Sequence, residues 1–508
     1  MMFNLLSLKL LIFAPIFAAI VVMSPIFGTN PIYIRRFAKT FATFHFLYSL
    51  LFVAFCNFGE GTYYDELTVL GEGWLSKLGV SAAFGVGGFS VLLVALTSFV
   101  FLMALIFSKT IIRTKHKMYY TLMLLLESII LGIFCAKDMF VFLLCWEAEL
   151  IPLYFLISQW GSDSAKKAAM KYVIYTFAGS LFIFAAMIGL YYYGYHLNGE
   201  LSSSIDFLRV YEADGIYPLL LQKILFWFFF IGFAVKLPVF PFHTWLPSAH
   251  SEAPAPVSII LAALMLKTGA YGLIRFNLDL FPELFIQYAP TIMVLGVITL
   301  LWGALAAYKQ GDIKKIIAYS SISAMGLFLI GLSSLNKAGI DGAMFVIFAH
   351  SLAVTGLFLV AGLVQQATKT KSLQEISGLG ISMPRLMFGS CIIILASIGI
   401  PMTMGFVGEF STFVGAFSAD FENALLPKVA TLIALLSLIL TAVYMLRFYH
   451  GIFCSTPSPD RKFNDITGHR LMLVIVICFC LIIFGCYPDG LMSIYGDVTD
   501  SLLDVLRV

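Results

Sequence analysis

Hydrophobic positions in this chain neither alternate nor form narrow stripes. They run nearly unbroken for about 20 residues at a time, and polar positions gather in the short gaps between the runs. A run of that length is what a helix needs to cross roughly 30 Å of hydrocarbon. Inside lipid such a run can satisfy its backbone only as a helix, whereas barrel strands would show alternating segments of about ten residues. The pattern predicts an all-α, polytopic membrane protein with the bilayer as its main solvent. Fourteen spans are expected, near 4–27, 38–58, 81–107, 118–136, 139–160, 170–194, 218–247, 254–279, 289–308, 313–335, 341–367, 384–417, 428–453 and 471–490. Two are too long for a simple crossing. The seventh contains Lys236-Leu-Pro-Val-Phe-Pro241, and the twelfth contains Pro401 to Gly405 ahead of Gly408 and Glu409. Proline removes a helical hydrogen bond and clashes with the carbonyl four residues earlier, so both helices are expected to break.

The polar gaps orient the spans. Loops with Arg35, Arg36 and Lys39, with Lys109 to Lys117, with Lys166, Lys167 and Lys171, with Lys309 to Lys315, with Lys369 to Arg385 and with Arg461 to Arg470 hold nineteen basic residues. The alternate loops hold six, together with acidic stretches at Glu60 to Glu72 and Asp206 to Asp214. The bias places the first set on the cytoplasmic or matrix side and both termini outside. The start, Met1 to Gly28, lacks a basic leading region and runs on into further spans, so it reads as the first helix and not as a cleaved signal. A weak internal similarity, Ala169-Met170 with Ala343-Met344, recurs at an offset of 174, and Lys236 and Glu409 are 173 apart. This suggests a three-helix segment (1–117), two five-helix repeats (118–279 and 289–453) and a C-terminal helix and tail (454–508). Units with an odd number of helices are inverted with respect to each other, an arrangement that builds sites at the midplane.

Composition narrows the chemistry. The chain is 60% hydrophobic and 12% charged, with a mean hydropathy of +0.96, far from the roughly 25% charged residues of soluble domains. The net charge of +3 resides in loops and gives no reason to expect nucleic acid. The eight cysteines (Cys56, Cys135, Cys145, Cys391, Cys454, Cys478, Cys480 and Cys486) form no CxxC pair, so they read as buried thiols and not as metal or iron–sulfur ligands. No glycine-rich nucleotide motif occurs. No cofactor and no metal is expected on this chain.

Ionisable groups in the middle of apolar spans are the informative residues, because each costs at least ~2.5–3.5 kcal/mol to insert. Four stand near span centres: Glu147, Lys236, Lys267 and Glu409. Glu149 is about 200° round the helix from Glu147, so one of the two is peripheral. The four form either a static ion pair, Glu147 with Lys236, and two bystanders, or a chain of titratable sites. Burial and an opposite charge shift a pKa in opposite directions, so making and breaking a pair can move its members across neutrality. Weaker candidates are Glu127 in span four, which could equally be a hydrogen-bonded core carboxyl, and His350 in span eleven, a proton carrier or a core histidine. His243 and His250 flank Thr-Trp-Leu-Pro on the basic side, as a proton uptake point or as helix caps. Asp312 reads as a helix cap. Ser320, Ser321 and Ser323 either support water or bond back to their own helix.

Six segments together resemble a known family: Trp146-Glu147 with Leu150 to Pro152, Lys236-Leu-Pro-Val, His243 to Pro254, Leu266-Lys267 to Gly272, Asp312 to Ser321, and Phe406 to Phe410. In order and placement over roughly residues 80 to 450 they resemble the antiporter-like proton-pumping subunits of complex I, NADH:quinone oxidoreductase, and among these the M type, called chain 4 in mitochondria. The resemblance implies two half-channels joined by a central line of charge. In it Glu147 gates the pairing, Lys236 is the broken-helix lysine, Lys267 the connecting lysine and Glu409 the exit residue. It also implies NADH, FMN, iron–sulfur clusters and quinone in other subunits, L-type and N-type neighbours, and a bacterial cytoplasmic or mitochondrial inner membrane. Glu409, where related subunits carry lysine, marks the M type. The alternative is a subunit of a multisubunit cation/proton antiporter. Ser248 replaces the family's usual Asp and Ala324 its usual His, so the link between Lys267 and Glu409 would have to run through water or His350.

Overall fold

Where the solvent is hydrocarbon, helices form because every backbone donor must find its acceptor within the segment. The computed structural model describes residues 7–55, 62–66, 77, 79–81, 83–198, 202–205, 218–376, 378–456 and 463–506. Cys56, Arg461, Lys462, the stretch Asp206 to Asp214 and most of Glu60 to Glu72 lie outside the described residues. The spans are α1 (Leu8–Met23), α2 (Pro31–Phe55), α3 (Gly88–Ile111), α4 (His116–Cys135), the fifth span made of α5 (Met139–Ala148) and α6 (Leu150–Trp160), and α7 (Ala165–Asn198). After these come α8 (Leu219–Lys236), a short α9 (Leu246–Glu252), α10 (Ala255–Leu278), α11 (Pro282–Lys309), α12 (Ile313–Leu332) and α13 (Lys337–Thr368). The twelfth span is α14 (Pro384–Ile398) with α15 (Met404–Phe417), followed by α16 (Leu425–Cys454), α17 (His469–Cys486) and α18 (Asp489–Leu506). Twelve of these segments are long and apolar enough to cross a membrane, and α1 and the α14–α15 pair supply the other two spans. Among the described residues the one sheet is a strand pair, β1 (Thr62–Glu66) against β2 (Ala83–Gly87), antiparallel with Tyr64 opposite Gly85.

Loop contacts verify the alternation of the spans. On one face Arg35 donates to the Ile112 carbonyl (3.1 Å), Trp160 to Thr114 (2.9 Å), Ser162 to the Glu252 carboxylate (2.6 Å) and Gln366 to Thr110 (3.0 Å). Asp465 accepts from the Arg385 amide (2.9 Å) on that same face. On the other face Lys137 pairs with Ala83, Ser203 with Asp138, and Lys337 with Asp500 on α18. These are the two loop sets that the basic residues separate.

Both expected breaks occur. α8 stops at Lys236, and residues 237–245 are not helical. The Trp245 indole donates to the Val235 carbonyl (2.9 Å), satisfying a group the break would orphan. In span twelve Gly399 adopts φ +80, a left-handed turn that suits glycine. Span five runs as one helical segment, Met139–Trp160, as the sequence predicts, with a single loosened turn at Glu149, which keeps helical angles (φ -65, ψ -23). The loosening comes from Pro152, which has no N–H to give the carbonyl of residue 148. α10 carries two widened π turns, Leu261–Met265 and Leu273–Leu278, and the apolar window of this helix is 100% buried. α16 is only 33% buried in the same measure. The central helices are thus surrounded by protein, and the outer ones face lipid.

Candidate proton-path residues

Span five brings the first charge into the interior. Asp138 caps α5 by accepting from the amides of Phe140 (2.8 Å) and Val141 (3.2 Å). Eight and eleven residues on, Trp146 and Glu149 project toward α8. Lys236, at the very end of α8, is 1% exposed, forms an ion pair with the fully buried Glu149, and lies 4.5 Å from the centre of the Trp146 ring. The expected partner, Glu147, is half-buried and makes no ion pair with Lys236 among the described residues, although its charge reaches both Lys236 and Tyr172. The static pair therefore falls on Glu149, the residue three positions from Trp146 on the same helical face.

Lys267 sits on α10 just after the first π turn. Its ammonium donates to the Ala262 carbonyl (2.8 Å) and meets His350 Nδ1 at 2.7 Å. The next carbonyl, Ala263, accepts from Ser351 on α13 (2.8 Å), so side chains take up the acceptors that the widened turn presents. α10 touches the broken end of α8 at Gly269, where an added Cβ would lie 2.9 Å from the Leu237 nitrogen. Lys236 and Lys267 thus sit on abutting segments. Beyond His350 a cavity of about 80 Å³ extends to Glu409, walled by Ser320, Ser323, Ala324, Ser397, Ser437 and Thr441. A water needs roughly 10–15 Å³ of such volume, so the space accommodates several. The protein gives His350 Nε2 no hydrogen-bond partner. Glu409 has no ion-pair partner among the described residues, and its carboxylate packs against Gly399 at the turn in span twelve.

The remaining candidates separate. Glu127 is drawn away from the central line into a pair with His45 (2.9 Å), a residue the sequence reading does not single out; its position among the apolar residues of span two was the available signal. The other His45 nitrogen donates to the Leu11 carbonyl (2.9 Å), since a carbonyl oxygen can only accept. His243 accepts from the Trp302 indole through Nε2 (2.9 Å). His250 is buried, stacks on Phe358 at 4.9 Å, and has neither nitrogen partnered by protein. Asp312 caps α12, accepting from the amides of Lys314 (2.8 Å) and Lys315 (3.2 Å). Ser320 and Ser321 bond back to Ile317, while Ser323 reaches Leu300 on α11 (2.9 Å). Ser248, at the position of the missing Asp, bonds back to the Trp245 carbonyl (2.7 Å). In the loops, Glu252 is the hub. Burial alone would push its carboxyl up, but bonds from Ser162 and Lys371 hold it below the usual range. Among the described residues no group of His, Cys, Asp and Glu is placed to hold a metal ion.

A helical membrane protein with two broken spans flanking a line of buried lysines, histidine and glutamates belongs to the ion-translocating class. Comparison with known proteins sharpens this. Residues 136–437 match the family described as NADH:quinone oxidoreductase/Mrp antiporter, transmembrane. The chain is 37% identical to "NAD(P)H-quinone oxidoreductase chain 4 3" of Picosynechococcus over 85% of its length and 83% of that relative. It is 37% identical to "NADH-quinone oxidoreductase subunit M" of Rickettsia prowazekii over 85% of each chain. A chain of the respiratory complex I of Thermus thermophilus superposes with a TM-score of 0.86 at 26% identity, covering 98% of this chain and 100% of that one. The chain belongs to this NADH:quinone oxidoreductase/Mrp antiporter transmembrane family, on the side of its subunit M and chain 4 members.

Proposed function

We propose that this chain is the M-type proton-translocating membrane subunit of a respiratory NADH:quinone oxidoreductase, driven by quinone reduction elsewhere in the assembly. The observation that carries the reading is the continuity from Lys267 through His350 into the cavity that ends on Glu409. A side chain hands over a proton only at about 2.6–3.2 Å or through one water, and this arrangement supplies both kinds of step. Lys236 with its carboxylates feeds the line from the first five-helix repeat, and Glu409 receives it in the second. His250, near both Lys267 and Lys314, and His243 stand at the side where protons are taken up. The chain itself carries no redox centre; NADH, FMN, iron–sulfur clusters and quinone belong to partner subunits, with L-type and N-type subunits as neighbours. Its place is a bacterial cytoplasmic or mitochondrial inner membrane.

The test uses the assembled complex in sealed vesicles. Glu409→Gln is expected to lower the proton-to-electron ratio while every cofactor remains present. Normal pumping by that variant would overturn the assignment, and strict dependence of transport on a sodium gradient without redox turnover would favour the cation/proton antiporter reading.

A further inference from the structure

The ion pair of Lys236 gives a role to a carboxylate beyond the four central charges. We infer that Glu149 is the resting counter-ion of Lys236 and a further proton-holding residue of the path, an inference that rests on the proton-translocating reading above. Glu149 is fully buried and Lys236 nearly so, in a part of the protein where an uncompensated charge is costly. Trp146 closes the other side of the ammonium, leaving it between one carboxylate and one aromatic face. Glu147 lies about 100° round the helix from Trp146, half-buried and beside Tyr172, close enough for its charge to be felt at Lys236 but outside the contact.

Lys236 sits where the backbone is interrupted, and Glu149 at a loosened turn of span five. Glu149 lies between α5 and α6, and Lys236 is the last residue of α8. The break after Lys236 leaves its ammonium able to move off Glu149, which a continuous helix would resist. Every proton is accounted for, and the anion left after the first step is what draws the next proton in. A proton leaving Lys236 toward Lys267 yields a neutral amine facing an anionic Glu149. A proton arriving at that carboxylate neutralises it, and passing it to the amine restores the pair. Glu149 is thus the lysine's contact partner, and Glu147 a more open carboxylate outside the contact.

The experiment compares Glu149→Gln, Glu149→Asp, Glu147→Gln and the double variant Glu149→Gln with Lys236→Met, each in the complete complex reconstituted in vesicles. Glu149→Gln is expected to lower the proton-to-electron ratio measurably, by the share this subunit carries, with Glu149→Asp regaining most of it. It should also lower the thermal unfolding temperature of the complex, a loss the double variant reverses and Glu147→Gln does not show. Infrared difference spectra should lose a carboxyl band in Glu149→Gln. A normal proton-to-electron ratio in Glu149→Gln, with or without loss of stability, overturns the inference, because it leaves Glu149 a structural counter-ion at most. Unchanged stability overturns the pairing. Normal pumping by Lys236→Ala would instead bring down the broader reading, whatever Glu149 does.

Discussion

The two charged sites at the broken helices, Lys236 and Glu409, solve the burial of an ion in opposite ways. Around Lys236 the protein closes: a carboxylate on one side, an indole on the other. Around Glu409 it opens into a cavity where hydroxyls of Ser320, Ser323, Ser397, Ser437 and Thr441 stand among apolar and small residues, with no ion-pair partner among the described residues. A closed pair is held until something displaces its partner, whereas a carboxyl beside a cavity with room for water can exchange its proton whenever a chain of donors is complete. On the proton-translocating reading proposed above, retention and release would fall to different sites of one molecule. The comparison also predicts different responses to injury, because removing one member of a closed pair strands the other, while a group beside a cavity leaves only space behind.

Lys236→Ala should therefore have the largest effect. Pumping is expected to fall by the share this subunit carries, and the unpaired Glu149 should cost about 3–5 kcal/mol in stability, seen as a lower unfolding temperature of the assembled complex. Glu409→Gln should match the loss of pumping with little loss of stability. Equal destabilisation by the two would break the contrast of closed and open sites. Next comes His350→Ala, expected to slow proton transfer several-fold, a weaker effect than losing a lysine because water can enter the vacated space. Adding Ala324→His to that variant should restore part of the rate. Normal pumping by His350→Ala would leave the path to water and serines. Ala324→Leu, which fills the cavity without touching a titratable group, should slow pumping modestly in proton-to-electron measurements and leave assembly intact; no change would show that the cavity is not on the route.

The smallest effect concerns the loop hub. Glu252 has a depressed pKa in the folded protein, so its bonds to Ser162 and Lys371 contribute stability above the ordinary carboxylate range. That contribution is lost as pH falls through the lower, folded value. Glu252→Gln should flatten the acid side of a stability-versus-pH curve by a small amount. A curve identical to that of the unaltered protein would remove Glu252 from the account.

Much of the architecture was legible because the bilayer imposes a simple rule on runs of apolar residues. Span number, alternation and the breaks after Lys236 and before Glu409 could all be read from length, loop charge and proline. The loosened turn at Glu149 was harder to see, since Pro152 lies in the first turn of α6, a position where proline is common and unremarkable. Which of Glu147 and Glu149 faces inward depends on the rotation of a helix that is apolar on every side, and hydrophobicity in lipid carries no signal of which side is core. Trp146 was the usable clue, since its i+3 neighbour is Glu149. The contact between Lys267 and His350 joins residues 83 apart in sequence and depends on the π turn in α10. No local pattern in the sequence announces that turn.

The wholly enclosed α10 has a consequence for how the protein is made. Its lysine emerges from the ribosome well before His350, and at about 5–20 residues per second the 83 intervening residues take roughly 4–17 s to synthesise. During that interval a lysine-bearing helix has been delivered to the membrane without the neighbour that later encloses it. A segment of this kind must be sheltered beside the insertion machinery or against earlier helices such as α3 and α8 until α13 follows. Biogenesis thus becomes an ordered process in which the centre of the protein is sealed only when a much later helix arrives.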